Sequence, residues 1–173
     1  GGHTVVNCTV DKASTTNAYL SKVVETANKK ELDLFISIHF NVGKGRGCEC
    51  YTWKGEKSEI ATGICDELYK LGFTNRGVKD GSGLYVIKNT KAKAILVEVC
   101  FVDTSSDVAL YKKKGAKVIA NAICKAITGE DILAKATDAY TDIGKLSTRT
   151  KINEVAKMGI LPYHDDELEP TKA

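Results

Sequence analysis

Ala94-Ile95-Leu96-Val97-Glu98-Val99-Cys100-Phe101 gives the strongest strand signal in the sequence. Its apolar residues would occupy both faces of a strand, which is typical of a strand buried inside a parallel sheet. A second apolar run, Leu34-Phe35-Ile36-Ser37-Ile38-His39-Phe40, predicts another fully buried strand. Ligands in α/β sheets bind beyond the carboxyl ends of strands. Glu98 and His39, which lie towards the ends of these two strands, are therefore the first candidates for a functional site.

Helical and extended patterns alternate along the chain on either side of these runs. Apolar stripes at helical spacing run over residues 20–27, 60–71 and 118–126, and Lys112-Lys113-Lys114 before Gly115 reads as a further helix end. Other strands are predicted at residues 4–10, 48–53 and 84–87, with a glycine-rich turn at 77–83. This alternation predicts an α/β fold with a largely parallel, twisted sheet and helices on both faces.

The composition excludes several classes of protein. The chain has 173 residues, of which 43% are hydrophobic and 27% charged, values that argue against disorder and collagen. No apolar run of about 18 residues exists, so no membrane span is predicted. Residues 1–129 hold 19 basic and 13 acidic side chains, a balance of +6 that could favour an anionic polymer such as a cell wall. No basic cluster is interleaved with aromatic residues, so no nucleic-acid partner is expected.

Six cysteines are spaced in a way that supports neither a zinc ribbon nor a disulfide framework. No two of them form a C-x-x-C pair, and Cys48 and Cys50 would lie on the same face of one strand, too close for a routine disulfide. We therefore expect reduced thiols and synthesis in a reducing cytoplasm.

Each candidate site residue has a structural alternative. His39 precedes a loop with three glycines, and a neutral imidazole is the commonest metal ligand, but a histidine at a strand end is also often structural. Glu98 has apolar neighbours, so a buried carboxylate there would have a raised pKa that suits a general acid or base. The alternative for Glu98 is a strand-end carboxylate that faces solvent.

Three segments resemble the zinc-dependent N-acetylmuramoyl-L-alanine amidases of the amidase-3 type. The run of residues 34–41 resembles their histidine motif, Asn75-Arg76-Gly77-Val78-Lys79 resembles their R-G-V-K segment, and residues 94–103 resemble the strand that carries their catalytic glutamate. The motifs follow the family's order and spacing over roughly residues 4–128. The resemblance implies a hydrolase that cleaves the amide between N-acetylmuramic acid and L-alanine in peptidoglycan.

The resemblance also implies roles for five residues. His39 would be a ligand of the catalytic Zn²⁺, and Glu98 would take a proton from the attacking water and pass it to the leaving amine. Arg76, Lys79 and Asn41 would border the substrate groove. Zinc in such enzymes is held by three protein groups and keeps a position for water.

The family's first histidine and its glutamate ligand have no counterpart here. They belong to a first strand and helix that should precede residues 4–10, and His3 matches a later position of the family pattern, so it is not assigned as a ligand. We therefore expect an N-terminally truncated amidase domain at residues 1–129, which by itself binds zinc poorly and is inactive.

The C-terminal part resembles the start of a wall-binding module. After a helical linker at residues 130–140, residues 141–173 resemble the first part of an S-layer-homology-like motif, which implies binding to a secondary cell-wall polymer. The alternative is a small helical extension that packs on the main domain, and His164 reads as a loop residue.

Two hypotheses follow for function. The first is a cell-wall lytic amidase, either a phage endolysin made in the cytoplasm and released at lysis or an exported bacterial autolysin. The second is a non-catalytic wall-binding or oligomerisation fragment of such an enzyme. The missing ligands favour the second hypothesis for this chain, whereas Glu98 and His39 favour descent from an enzyme.

Overall fold

A computed structural model describes residues 2–134, and residues 1–130 form one compact unit. The predicted wall-binding module at 141–173 and most of the predicted linker at 130–140 lie outside the described residues. The helices are α1 (Thr16–Asn28), α2 (Glu59–Lys70), α3 (Tyr85–Asn89), α4 (Ser105–Lys114) and α5 (Ala116–Thr128). The strands are β1 (Leu34–Asn41), β2 (Cys48–Thr52), β3 (Asn75–Asp80) and β4 (Lys93–Phe101).

The four strands form one mixed sheet in the order β1-β4-β2-β3. β1 runs parallel to β4 and β2 runs parallel to β3, whereas β2 and β4 are antiparallel where the two pairs meet. The predicted α/β fold with a largely parallel sheet is confirmed, and the antiparallel junction is an addition that strand patterns alone do not reveal.

Helices cover both faces of this sheet, as predicted. On one face α2 and α5 pack against inward side chains of β2 and β4, including Cys48, Cys50, Val97 and Val99. On the other face α1 and α3 pack against Phe35 of β1 and Leu96 of β4. None of the helices within residues 2–134 is long and apolar enough to span a membrane.

The helix boundaries follow from local chemistry in the sequence. The Thr15 side chain accepts a hydrogen bond from the Ala18 amide at the start of α1, and Ser58 does the same with Ala61 at the start of α2. Gly72 follows α2 with a φ of +110°, a conformation that glycine adopts without steric cost.

The segment at residues 4–10 is not a strand, contrary to the prediction. It has no regular secondary structure, and Val5 is 90% exposed. A strand needs a neighbour to satisfy its backbone amides and carbonyls, and nothing in the described part of the chain pairs with this segment. The local pattern was right for a strand, but a pattern cannot supply the partner.

The strand β1 is not fully buried, which corrects a second prediction. It lies at the edge of the sheet, and Ile38 and Phe40 are 57% and 45% exposed. Their apolar character reads as burial in the sequence, yet in the described chain β1 is paired along one edge only.

Of two further predictions between residues 75 and 90, one is half right and one is wrong. The predicted glycine-rich turn at 77–83 is a turn only at residues 82–83, because its first part belongs to β3, where the backbone around Gly77 pairs with β2. The predicted strand at 84–87 is part of α3, in which Val86 and Ile87 are buried. Periodicity does not distinguish a short buried strand from a short buried helix.

Candidate active site

His39 and Glu98 lie side by side on neighbouring strands. They are register partners in the parallel pair of β1 and β4, so their side chains leave the same face of the sheet. Just after His39 the pairing shifts, and Asn41 lies opposite Phe101. Such irregularities often redirect side chains next to functional sites.

A third polar residue, Glu49, extends this row across the next strand. Glu49 is directly opposite Glu98 in the antiparallel pair of β2 and β4. The order along the sheet is therefore His39, Glu98, Glu49. Sequence reasoning missed Glu49, although Cys48-Glu49-Cys50 carried a signal: if both cysteines face the core, the residue between them must point to the opposite face.

Glu49 is the centre of a hydrogen-bond network even though its side chain is only 2% exposed. Arg76 Nε and Lys79 Nζ both donate to its Oε2 atom at 2.5 Å. Asn41 Nδ2 and Tyr51 Oη both donate to its Oε1 atom at 2.8 Å. The three predicted substrate-binding residues are thus brought together, because each of them donates to one carboxylate.

The two glutamates have opposite pKa shifts because their surroundings differ. Burial alone would raise the pKa of Glu49, but the hydrogen bonds from Arg76, Lys79 and Tyr51 outweigh it, so its pKa is lowered. Burial, together with the nearby negative charge of Glu49, raises the pKa of Glu98 to about 7. Glu98 Oε2 is buried and has no hydrogen-bond partner within the described residues. Glu49 is therefore a fixed anion, whereas Glu98 can gain or lose a proton near neutral pH.

His39 has the properties of a neutral imidazole. Burial lowers its pKa below the ordinary value, so the ring is uncharged at neutral pH. Its Nε2 atom lies 2.7 Å from Ser37 Oγ, two residues earlier on the same strand. A neutral ring with one nitrogen hydrogen-bonded offers its other nitrogen to a metal or a proton donor, depending on the tautomer.

Two aspartates hold the loop that follows His39. Asp103 Oδ2 accepts hydrogen bonds at 2.8 Å from the amides of Gly43 and Lys44. Asp107, which is 1% exposed, accepts from the amides of Gly47 at 2.7 Å and Phe101 at 3.0 Å. The loop is thereby tied to the end of β4, close to the row of polar side chains.

The donor set for a metal is incomplete among residues 2–134. No group of three or more His, Cys, Asp or Glu side chains in this part of the chain is placed to hold an ion. A catalytic zinc site needs three protein ligands. His39 can supply one nitrogen ligand, but residues 2–134 do not complete the set.

Known proteins share the α/β fold of this chain. Residues 2–129 match the model of the amidase-3 family, described as N-acetylmuramoyl-L-alanine amidase. The chain belongs to this family, which confirms the resemblance of the three motifs. The family is generally zinc-dependent.

Curated relatives include two uncharacterized proteins of Clostridium perfringens and an amidase of Bacillus licheniformis. An uncharacterized protein of Clostridium perfringens is 39% identical over 140 residues, covering 76% of this chain and 41% of the relative. The amidase CwlM of Bacillus licheniformis is 29% identical, covering 86% and 60%. The chain spans less than half the length of the two C. perfringens relatives it matches.

Solved structures show the same fold. The catalytic domain of the CD27L endolysin, described as targeting Clostridia Difficile, matches with a TM-score of 0.64 and 33% identity, covering 69% of this chain and 67% of that one. The catalytic domain of the amidase CwlV from Bacillus (Paenibacillus) polymyxa var. colistinus matches with a TM-score of 0.56 and 26% identity, covering 64% of each chain.

Proposed function

We propose that this protein is a peptidoglycan hydrolase that cleaves the amide between N-acetylmuramic acid and L-alanine. Family membership supports the reaction class. The observation that carries the proposal is Glu98, a half-buried carboxylate with a pKa raised to about 7 beside His39. A general base is most effective when its pKa lies near the working pH.

Glu98 acts as the proton carrier in this proposal. Its carboxylate takes a proton from a water molecule as the water oxygen attacks the amide carbonyl carbon. It then delivers that proton to the leaving nitrogen as the carbon–nitrogen bond breaks. The products are the muramic acid carboxyl group and the free amine of L-alanine. Glu98 Oε2 makes no hydrogen bond within residues 2–134, so no donor there stabilises the charged form of the carboxylate.

His39 contributes one ligand to a zinc ion in this proposal, and the other ligands come from outside residues 2–134. Bound zinc lowers the pKa of water and polarises a carbonyl group. The neutral state of His39 suits this role, because only a deprotonated ring nitrogen binds a metal.

Arg76, Lys79 and Asn41 border the substrate groove in the proposal. Each of these three residues donates one hydrogen bond to Glu49, but the Arg76 and Lys79 side chains remain 34% and 35% exposed. Their remaining N–H groups can therefore donate to a peptidoglycan carbonyl or carboxylate. Glu49 acts through these residues and is a positioning residue.

The site of action is the bacterial cell wall, reached by phage lysis or by export after synthesis in the cytoplasm. Residues 141–173 add a contact to a secondary wall polymer in this proposal. An endolysin of Bacillus phage SPP1 is 35% identical over 97 residues, which supports the comparison with lytic enzymes.

A second candidate is a non-catalytic wall-binding fragment, which the incomplete donor set favours. Zinc stoichiometry of the purified 173-residue polypeptide, measured with its intact mass, separates the two candidates. Near-zero zinc and no release of amines from purified peptidoglycan would favour the non-catalytic candidate. About one zinc per chain, with turnover abolished by Glu98→Gln, would instead show that the polypeptide is an active amidase and would exclude the fragment.

A further inference from the structure

A groove of about 780 Å³ lies at the end of the sheet that is remote from His39 and Glu98. It is found where β1 and β4 begin and β2 ends, since Leu34, Lys93 and Thr52 all line it. Lys93 precedes Glu98 by five residues on β4, a separation of roughly 17 Å along an extended strand. The groove is therefore a separate surface from the candidate active site.

The rim of this groove is basic. Four lysines line it against two glutamates, which leaves a local balance of +2. The lysines are exposed, and none of their ammonium groups forms an ion pair with a carboxylate in the described part of the chain. The charged lining residues are Lys57, Lys88, Lys91, Lys93, Glu56 and Glu59. Unpaired ammonium groups around a concave surface attract and hold phosphate groups.

An aromatic side chain stands beside these lysines. Trp53 lines the groove and is 44% exposed, whereas tryptophan is usually much more buried. The turn that carries it is held in place by Lys54, which has a left-handed φ of +53° and whose amide donates to Ser82 Oγ at 2.9 Å. A non-glycine residue in this conformation persists only where its surroundings enforce it. Trp53 therefore offers a fixed apolar plate on which a carbon chain or a sugar ring can pack.

We propose that this groove binds a phosphodiester-linked polymer of the bacterial cell wall. The lysines hold the phosphates, and Trp53 packs on the polyol or sugar unit between them. Alternation of charge and carbon backbone in such a polymer matches the alternation of ammonium groups and an aromatic ring on the rim. The inference rests on the proposed function in one respect: a protein that acts on peptidoglycan encounters the phosphodiester-linked polymers of the cell wall.

Trp53 gives the test its own reporter, because it is the only tryptophan in the chain. The metal-free 173-residue polypeptide is titrated at low salt with a poly(glycerol phosphate) oligomer, and the tryptophan emission is followed. A saturable change is expected. Lys91→Ala combined with Lys93→Ala should weaken the apparent affinity by about three- to tenfold, since two exposed charge contacts are lost.

Matched controls decide between specific and general binding. Lys112→Ala with Lys113→Ala removes two exposed lysines from α4 and should leave the titration unchanged. An unchanged emission, equal weakening by both double variants, or equal binding of an uncharged polyol would overturn the proposal. Equal affinity for a single-stranded oligodeoxynucleotide with the same number of phosphates would overturn its assignment to a wall polymer.

A final variant separates this inference from the proposed reaction. Glu98→Gln should bind the oligomer as the unmodified chain does, because Glu98 is at the other end of the sheet. Equal binding by both chains would leave the groove assigned whatever the zinc and turnover measurements show, and turnover by the unmodified chain without binding would support the reaction and refute the groove.

Discussion

Replacement of Glu49 by glutamine tests whether one carboxylate organises the candidate site. The substitution keeps the shape of the side chain and one acceptor oxygen but removes the negative charge. Arg76 and Lys79 then lose their anionic partner, and two of the four donors that meet at Glu49 face an amide nitrogen instead of an oxygen, because each carboxylate oxygen accepts from two donors.

The expected loss of stability can be bounded from exposure. Removal of one partner from a fully buried ion pair costs about 3–5 kcal/mol. Here the carboxylate is 2% exposed, but Arg76 and Lys79 are 34% and 35% exposed, so water can partly solvate them after the change. We expect about 2 kcal/mol. Relief of the repulsion with Glu98 acts in the opposite sense but is small, because Glu98 is about half protonated at pH 7.

The pH dependence of this loss provides a second criterion. The folded-state pKa of Glu49 is lowered, so its stabilising effect is complete above the unfolded-state pKa of about 4.3 and is lost as the pH falls through the folded-state value. The difference between the unmodified chain and Glu49→Gln should therefore rise slightly from pH 7 to about pH 5.5, as Glu98 gains a proton and no longer repels Glu49, and should shrink below about pH 4.

Urea unfolding followed by circular dichroism measures both quantities. Glu31→Gln is the matched control, because Glu31 is exposed, and it should change the free energy of unfolding by less than about 0.5 kcal/mol. A similarly small effect of Glu49→Gln at pH 7, or a large effect that persists unchanged to pH 3, would refute the account of Glu49 as a charged organising residue.

Three more predictions concern other parts of the domain. The Glu98 carboxyl carbon should titrate near pH 7 by NMR in the metal-free chain, and in Glu49→Gln it should titrate lower because a nearby negative charge is gone; a midpoint near 4.5 in the unmodified chain would contradict this. Gly47→Ala should lower stability by about 1–3 kcal/mol in urea unfolding, because φ is +99° and the new Cβ would lie 2.0 Å from the Thr74 carbonyl oxygen; Gly83→Ala, which meets nothing within 4 Å, is the control. A thiol reagent should label Cys8 and Cys124, which are partly exposed, rapidly in the native chain. The buried thiols of Cys48, Cys50, Cys65 and Cys100 should react only on unfolding, and prompt labelling of more than two cysteines would contradict a closed core.

The parts of the fold that could be predicted are those in which local pattern and tertiary setting agree. Helices α1, α2 and α5 have both a capping or terminating residue and an apolar stripe, and the structure places all three as predicted. The strand β4 is apolar on both faces because it lies inside the sheet between β1 and β2. Here each residue carries enough information about its own surroundings.

Apart from the predicted strand at 84–87, the wrong predictions depend on a partner that local sequence does not contain. Residues 4–10 have strand-like character but no strand beside them, and β1 is apolar but lies at an edge. The backbone of β3 is fixed by β2, although Gly77 and its neighbours read as a turn. Pairing between segments that are distant in the chain decides each of these cases.

The candidate site was predictable in its residue types but not in its organisation. His39 and Glu98 could be found because a polar residue next to a buried apolar run is conspicuous, and the structure makes them register partners. Glu49 escaped notice because its role comes from β2 lying antiparallel to β4, which no local pattern specifies. The donors on Arg76, Lys79 and Asn41 were recognised, but the carboxylate that gathers them was not.

The division of labour between the two glutamates follows from hydrogen bonding rather than from depth in the structure. Glu49 is the more buried of the pair, yet four donors keep it ionised. Glu98 has an oxygen with no donor within residues 2–134, and burial together with the charge of Glu49 raises its pKa to about 7. An ionised Glu49 is thus a cause of the raised pKa of Glu98. A carboxylate that accepts hydrogen bonds from two cations is a poor base, whereas a desolvated carboxylate with a raised pKa is a good one. Glu49 therefore suits a structural role, and Glu98, on the neighbouring strand, suits proton transfer.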